Sequence, residues 1–128
     1  IGDVEVVPMP NKGNEDEHPC RRYSYLLRTA SRAVLFHSGD SHGVSEEWDR
    51  YIAYVDIAML WPSHIEEMVD FLEPAKVVVM HCDRFEPGDF LCNVDAAELA
   101  RGLQRKFPDA EIIVPQAGQW ITVEPQRV

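Results

Sequence analysis

Ala33-Val34-Leu35-Phe36-His37-Ser38-Gly39-Asp40 opens as an apolar run and closes on a glycine turn followed by a carboxylate. A short apolar run bounded by a turn signal is the pattern of a buried strand, and here an acidic side chain stands at its carboxyl end. Two further runs repeat the form. Val55–Trp61 (VDIAMLW) is nearly continuously apolar, as expected of a strand covered on both faces, and Lys76–Met80 is a second buried strand ending at His81. Between them Ser63–Leu72 reads as a helix with Ser63 at its start, Glu66 in the capping-box position and Pro74 beyond its end.

Upstream, Asp3–Pro8 alternates and is β-branched, predicting a strand. Met9–Arg21 is rich in Pro, Gly, Asn and charge and predicts a long loop, a length that in compact domains is often functional. Arg22–Thr29 and Ala33–His37, separated by Ala30-Ser31-Arg32, predict a hairpin. Ser45-Glu46-Glu47 predicts the start of a short helix with Ser45 as N-cap. Downstream, a polar loop over Asp83–Leu91 leads to an amphipathic helix that begins at Asn93 or Asp95 and runs to about Phe107. Ala96, Leu99, Leu103 and Phe107 share one of its faces. Two short strands, Glu111–Pro115 and Gln119–Val123, close the chain around Ala117-Gly118. Strands alternating with helices predict a layered α/β sheet, with the hairpins marking its antiparallel part.

The 128 residues suit a single domain over 1–128, and 45% hydrophobic with 27% charged residues is ordinary for a globular α/β protein. No apolar run approaches the roughly 18–20 residues a membrane span needs. Ile1-Gly2-Asp3-Val4 resembles neither a secretory signal nor a basic presequence, and a chain that starts almost inside a strand without Met is expected to be a fragment, a processed product or half of a larger fold. The formal charge of -10 disfavours a nucleic-acid partner, because so acidic a surface repels phosphate backbones. Cys20, Cys82 and Cys92 form no C-x-x-C pair and are odd in number, so they read as reduced thiols in a cytoplasmic setting.

In a layered α/β sheet, ligands gather at the carboxyl ends of the strands. That rule selects Asp40, His64 and His81, with His18 in the long loop as a fourth candidate. A carboxylate and neutral imidazoles from separate strand ends suit Zn²⁺ or a similar divalent ion. The order of Glu17-His18-Pro19, Phe36-His37-Ser38-Gly39-Asp40 and Val78-Val79-Met80-His81 resembles the C-terminal half of the metallo-β-lactamase superfamily, over about residues 3 to 123. Val7-Pro8-Met9-Pro10-Asn11 through His18-Pro19 is similar to a loop of its ascorbate-phosphate-lactonase-like branch.

That resemblance implies half of a four-layer αββα sandwich, a mixed sheet with helices packed on one face. It implies a metal-dependent hydrolase with two divalent ions, zinc first and manganese or iron as alternates. Asp40 would bridge the ions, while His18 would serve one and His81 the other. Metal-activated water would then attack an ester, lactone, lactam or phosphoester, with His64 or His42 as proton donor or substrate contact. The superfamily's His-x-His-x-Asp-His is absent, and none of the five histidines pairs as His-x-His. The chain thus carries half of the ligands. Alone it should bind metal poorly and be inactive, so a missing N-terminal half or a homo-oligomeric partner is expected to complete the site. Two other readings stand beside this one. A non-catalytic half-fold would associate through its sheet face. In a GDS-type serine esterase Ser41 would attack, although the chain has no Asp-x-x-His to serve it, and a trypsin-like Gly-Asp-Ser-Gly fails at His42.

Overall fold

The computed structural model describes residues 3–12, 22–80 and 95–125. Their strands form one sheet in the order β1 (Val4–Pro10), β2 (Tyr23–Thr29), β3 (Val34–His37), β4 (Ile57–Leu60), β5 (Lys76–Val79) and β6 (Glu111–Ile113). The β1–β2 and β2–β3 pairs are antiparallel, and β3 through β6 are parallel. The β2–β3 hairpin turns where Ala30-Ser31-Arg32 was expected to turn it. Arg32 takes φ 68°, its N–H donates to Thr29 O at 2.9 Å, and Thr29 Oγ1 accepts the Ala33 N–H at 3.0 Å.

Two helices cross between parallel strands: α1 (Ile65–Leu72) from β4 to β5, and α2 (Ala96–Lys106) from β5 to β6. Successive crossovers that step the same way along a sheet and share the usual right hand lay their helices on one face. The buried residues record that face. Leu26 pairs with Phe36, Phe36 with Ala58, Ala58 with Val77 and Val77 with Ile112. Leu26, Phe36, Ala58 and Val77 are buried and join Ile65, Met68, Val69 and Leu72 of α1 and Leu103 of α2 in one core. The helical spacing of three and four that brings those α1 side chains inward is the amphipathic stripe of a surface helix. Trp48 is wholly buried within this core, its ring edge-on to Phe36 at 4.9 Å between centroids.

The opposite face carries the alternate residues. Tyr25, His37, Met59, Val78 and Ile113 form one row across it, and Val6, Leu27, Leu35 and Ile57 another. Ile57 and Val78 are buried, but Val6 is 41% and Tyr25 40% exposed, and no described helix lies over them. A mixed sheet with helices on one face and an apolar second face is the architecture of half an αββα sandwich.

Several local expectations need correction. Ser45 does not open an α-helix; the segment makes a single 3-10 turn at Trp48–Arg50 that drops Trp48 into the core, where Nε1 donates to Pro10 O at 2.7 Å. Ser63 does not cap α1. The N-cap is His64 in a left-handed conformation with no side-chain cap bond, and Glu66 instead reaches Lys106 Nζ at 2.7 Å. Asp95 does cap α2, its Oδ1 accepting the Glu98 N–H at 3.0 Å. Residues 119–123 form no strand: Thr122 O is taken by Lys76 Nζ at 2.7 Å, and Trp120 is 95% exposed.

Candidate functional site

Because β2 runs against its two neighbours, β1 points the same way as β3 through β6. The chain therefore leaves β1 at Asn11-Lys12, β3 at Ser38, β4 at Trp61 and β5 at Met80 along one edge of the sheet. Asp40 lies at this edge and is exposed, as are His42 and His64. His18 and His81, along with Cys20, Cys82, Cys92 and Asp83, fall outside the described residues.

The turn that presents Asp40 is held from beneath by buried serines. Ser38 N donates to Met59 O at 3.0 Å, and Ser38 Oγ accepts the Trp61 N–H at 2.9 Å, clamping the ends of β3 and β4 together. Ser24 Oγ donates to Ser38 O at 2.7 Å from β2. Gly39 sits at φ +57°, and a Cβ there would stand 2.8 Å from Tyr23 O, so the turn and β2 approach as closely as only glycine allows. Gly39 N donates to His37 Nδ1 at 3.0 Å, so that nitrogen is an acceptor. His37 is thus a strut of the turn.

Ser41 is fully buried. Its hydroxyl accepts the Lys12 N–H at 3.0 Å and donates to Gly43 O at 2.8 Å, while His42 N donates to Lys12 O at 2.6 Å. The end of β1 and the Asp40 turn are thereby stapled to each other. A hydroxyl so enclosed braces a loop, and the esterase alternative loses its nucleophile. Beside it Asn11 is 9% exposed, and its Nδ2 has no hydrogen-bond partner among the described residues.

His64 is brought to this loop through a residue that the sequence did not single out. Glu67 Oε1 accepts the Val44 N–H at 3.0 Å, and its Oε2 lies 3.9 Å from His64 Nδ1. One carboxylate on the first turn of α1 thus holds the 42–44 segment and faces the imidazole. The spacing of His64 and Glu67 was the available sign, since residues three apart on a helix are neighbours. Its 23-residue reach to Val44 had no sequence signature.

Neither a protein-family model nor a curated protein sequence matches the chain. The fold does have a counterpart. It is similar to the crystal structure of an isothiocyanate hydrolase from Delia radicum gut bacteria, with a TM-score of 0.67 over 94% of this chain at 12% identity. The chain spans 54% of that protein's length. At such identity the likeness is one of fold.

Among the described residues no three His, Cys, Asp or Glu side chains are grouped to hold a metal ion. Of the three expected ligands only Asp40 is described, so the described residues do not by themselves make a metal centre. No helix among them is long and apolar enough to cross a membrane.

Proposed function

We propose that this chain forms part of a hydrolase whose reacting centre lies at the carboxyl edge of the sheet, around Asp40. The observation that carries this reading is the braced turn. An exposed carboxylate stands on a glycine that cannot be replaced without moving β2, while two exposed imidazoles, His42 and His64, share the same edge. Rigid support beneath an exposed polar group is what a catalytic constellation requires, because small displacements of a reacting group are costly in rate. The match of 94% of the chain to a hydrolase fold supports the same class.

In this proposal Asp40 acts with His18 and His81 on divalent metal ions, zinc before manganese or iron, and the remaining ligands come from a second half supplied by another segment or chain. Such ions would supply an activated water for an ester, lactone, lactam or phosphoester. The contributions of the chain's own residues follow from their supports. The Ser38 and Ser41 hydrogen bonds brace the turn on either side of Asp40, so the residue stands on a segment tied to β1, β2 and β4. His64, the N-cap of α1 facing Glu67, is the candidate to move a proton or contact substrate; His42 is the alternative, with its backbone pinned to Lys12.

A non-catalytic interaction module is the second reading, and the exposed Val6, Tyr23 and Tyr25 favour it. Apolar surface of that kind marks an association site. Metal content and oligomeric mass of the purified protein separate the two. Bound metal that falls in Asp40→Ala supports the hydrolase. A metal-free assembly indifferent to that substitution overturns it.

A further inference from the structure

The opposite, amino edge of the sheet holds a groove of about 460 Å³ where β4 and β5 begin and both helices end. Val55, Val69, Pro74 and Ala110 form its buried floor, and the half-buried Tyr54 and Phe107 stand as walls. With strands rising about 3.3 Å per residue, a four-residue strand separates this groove from the Asp40 edge by roughly 13 Å or more.

The charge around the mouth is predominantly negative. Asp70, Glu73 and Asp109 line it as exposed carboxylates, and among the described residues none of them is ion-paired to a cation. The one cation of the lining, Lys106, hydrogen-bonds Glu66 at 2.7 Å through its ammonium, and that bond, the charge of Glu66 and, more weakly, the charge of Asp70 hold it above its ordinary value of 10.5; the mouth thus carries three carboxylates to one ammonium already held by Glu66. The carboxyl ends of α1 at Glu73 and α2 at Phe107 add the partial negative charge of helix C-termini. The walls also accept cations, since Lys106 Nζ already lies 5.7 Å from the centre of the Phe107 ring.

We propose that this groove binds a small organic ammonium ion with an apolar or aromatic body. The body would lie on the Val55, Val69 and Ala110 floor between Tyr54 and Phe107, and the ammonium would sit among Asp70, Glu73 and Asp109. An apolar floor with few convergent polar groups is the usual make-up of a small-molecule site, and here carboxylates outnumber the single ammonium of Lys106. A neutral molecule of the same shape would add no counter-charge beside Glu73 and Asp109, and an anion would be repelled by the excess of carboxylates.

The test is an NMR titration with phenethylammonium, its neutral counterpart 2-phenylethanol and its anionic counterpart phenylacetate. Saturable shifts at the amides of Ala75, Phe107 and Ala110 are expected with phenethylammonium, with at least about tenfold weaker binding of the alcohol and none of the acid. Glu73→Gln combined with Asp109→Asn should weaken the amine at least several-fold and leave the alcohol unchanged. Both positions are exposed, and Asp70→Asn provides an independent variant should that pair disturb folding. Alcohol binding as tight as the amine, amine shifts that do not saturate or that centre elsewhere, or amine affinity unmoved by these variants would overturn the proposal. Since these residues lie at the edge away from Asp40, each outcome is independent of the metal content there.

Discussion

Replacing Gly39 by alanine tests how tightly the Asp40 turn is built. Two costs add. A left-handed backbone at φ +57° costs an L-residue about 1–2 kcal/mol. The new Cβ would also stand 2.8 Å from Tyr23 O, a backbone carbonyl in a paired strand that cannot swing aside, and overpacking of this kind costs about 1–3 kcal/mol. Lower freedom in the unfolded chain offsets this by about 0.4–1 kcal/mol. Gly118→Ala is the matched control. It has φ +80° and nothing within 4 Å, so it carries the backbone cost and the same offset without the clash. Urea unfolding followed by far-UV circular dichroism should place Gly39→Ala about 1–3 kcal/mol below Gly118→Ala at unchanged m. At about 4 °C per kcal/mol for a chain of this size, that is a gap of roughly 4–12 °C in Tm. Equal stabilities would refute the close approach of the turn to β2.

Other consequences follow from single contacts. Asp56 is 1% exposed, and its Oδ2 accepts the Val34 N–H at 2.7 Å, so Asp56→Ala leaves a buried donor unpaired and should cost about 1–3 kcal/mol in urea midpoint experiments. The Lys106–Glu66 pair has a defined pH signature. A cation raised above 10.5 in the folded state adds stability that is complete below that pH and is lost as pH climbs past it. The stability gap between wild type and Glu66→Ala should therefore be constant through neutral and mildly alkaline pH and close above 10.5. A gap that instead widened there would refute the pairing.

The sheet was legible because its signals are local. Apolar runs such as Ala33–His37 and Lys76–Met80 reveal strands wherever they sit, and the break at Ala30-Ser31-Arg32 reveals a turn. The errors arose where a tertiary contact overrode a local preference. Ser63 has the chemistry of a helix cap, yet His64 adopts the left-handed conformation and Glu66 turns to Lys106, 40 residues away. Ser45 was read as a cap in the same way, but the burial of Trp48 and its bond to Pro10 O shorten that segment to one 3-10 turn. Gln119–Val123 has strand-like composition, but Thr122 O is taken by a lysine side chain rather than by a ladder. The strand-Gly-Asp pattern places Asp40 just beyond the end of β3, along the edge where His42 and His64 also lie. The hydrogen bonds that enclose Ser41 and the reach of Glu67 to Val44 join residues 29 and 23 apart, which no spacing rule reveals.

The most direct measurement is metal content by inductively coupled plasma mass spectrometry on the purified protein in its native assembly, wild type beside Asp40→Ala. Asp40 is exposed, so the substitution should leave the thermal unfolding transition close to that of the wild type. At least one zinc, manganese or iron per chain in the wild type, falling by about tenfold in Asp40→Ala, is the expected result for a hydrolytic centre at the carboxyl edge. A metal-free wild-type assembly, or metal retained unchanged in Asp40→Ala, would contradict it.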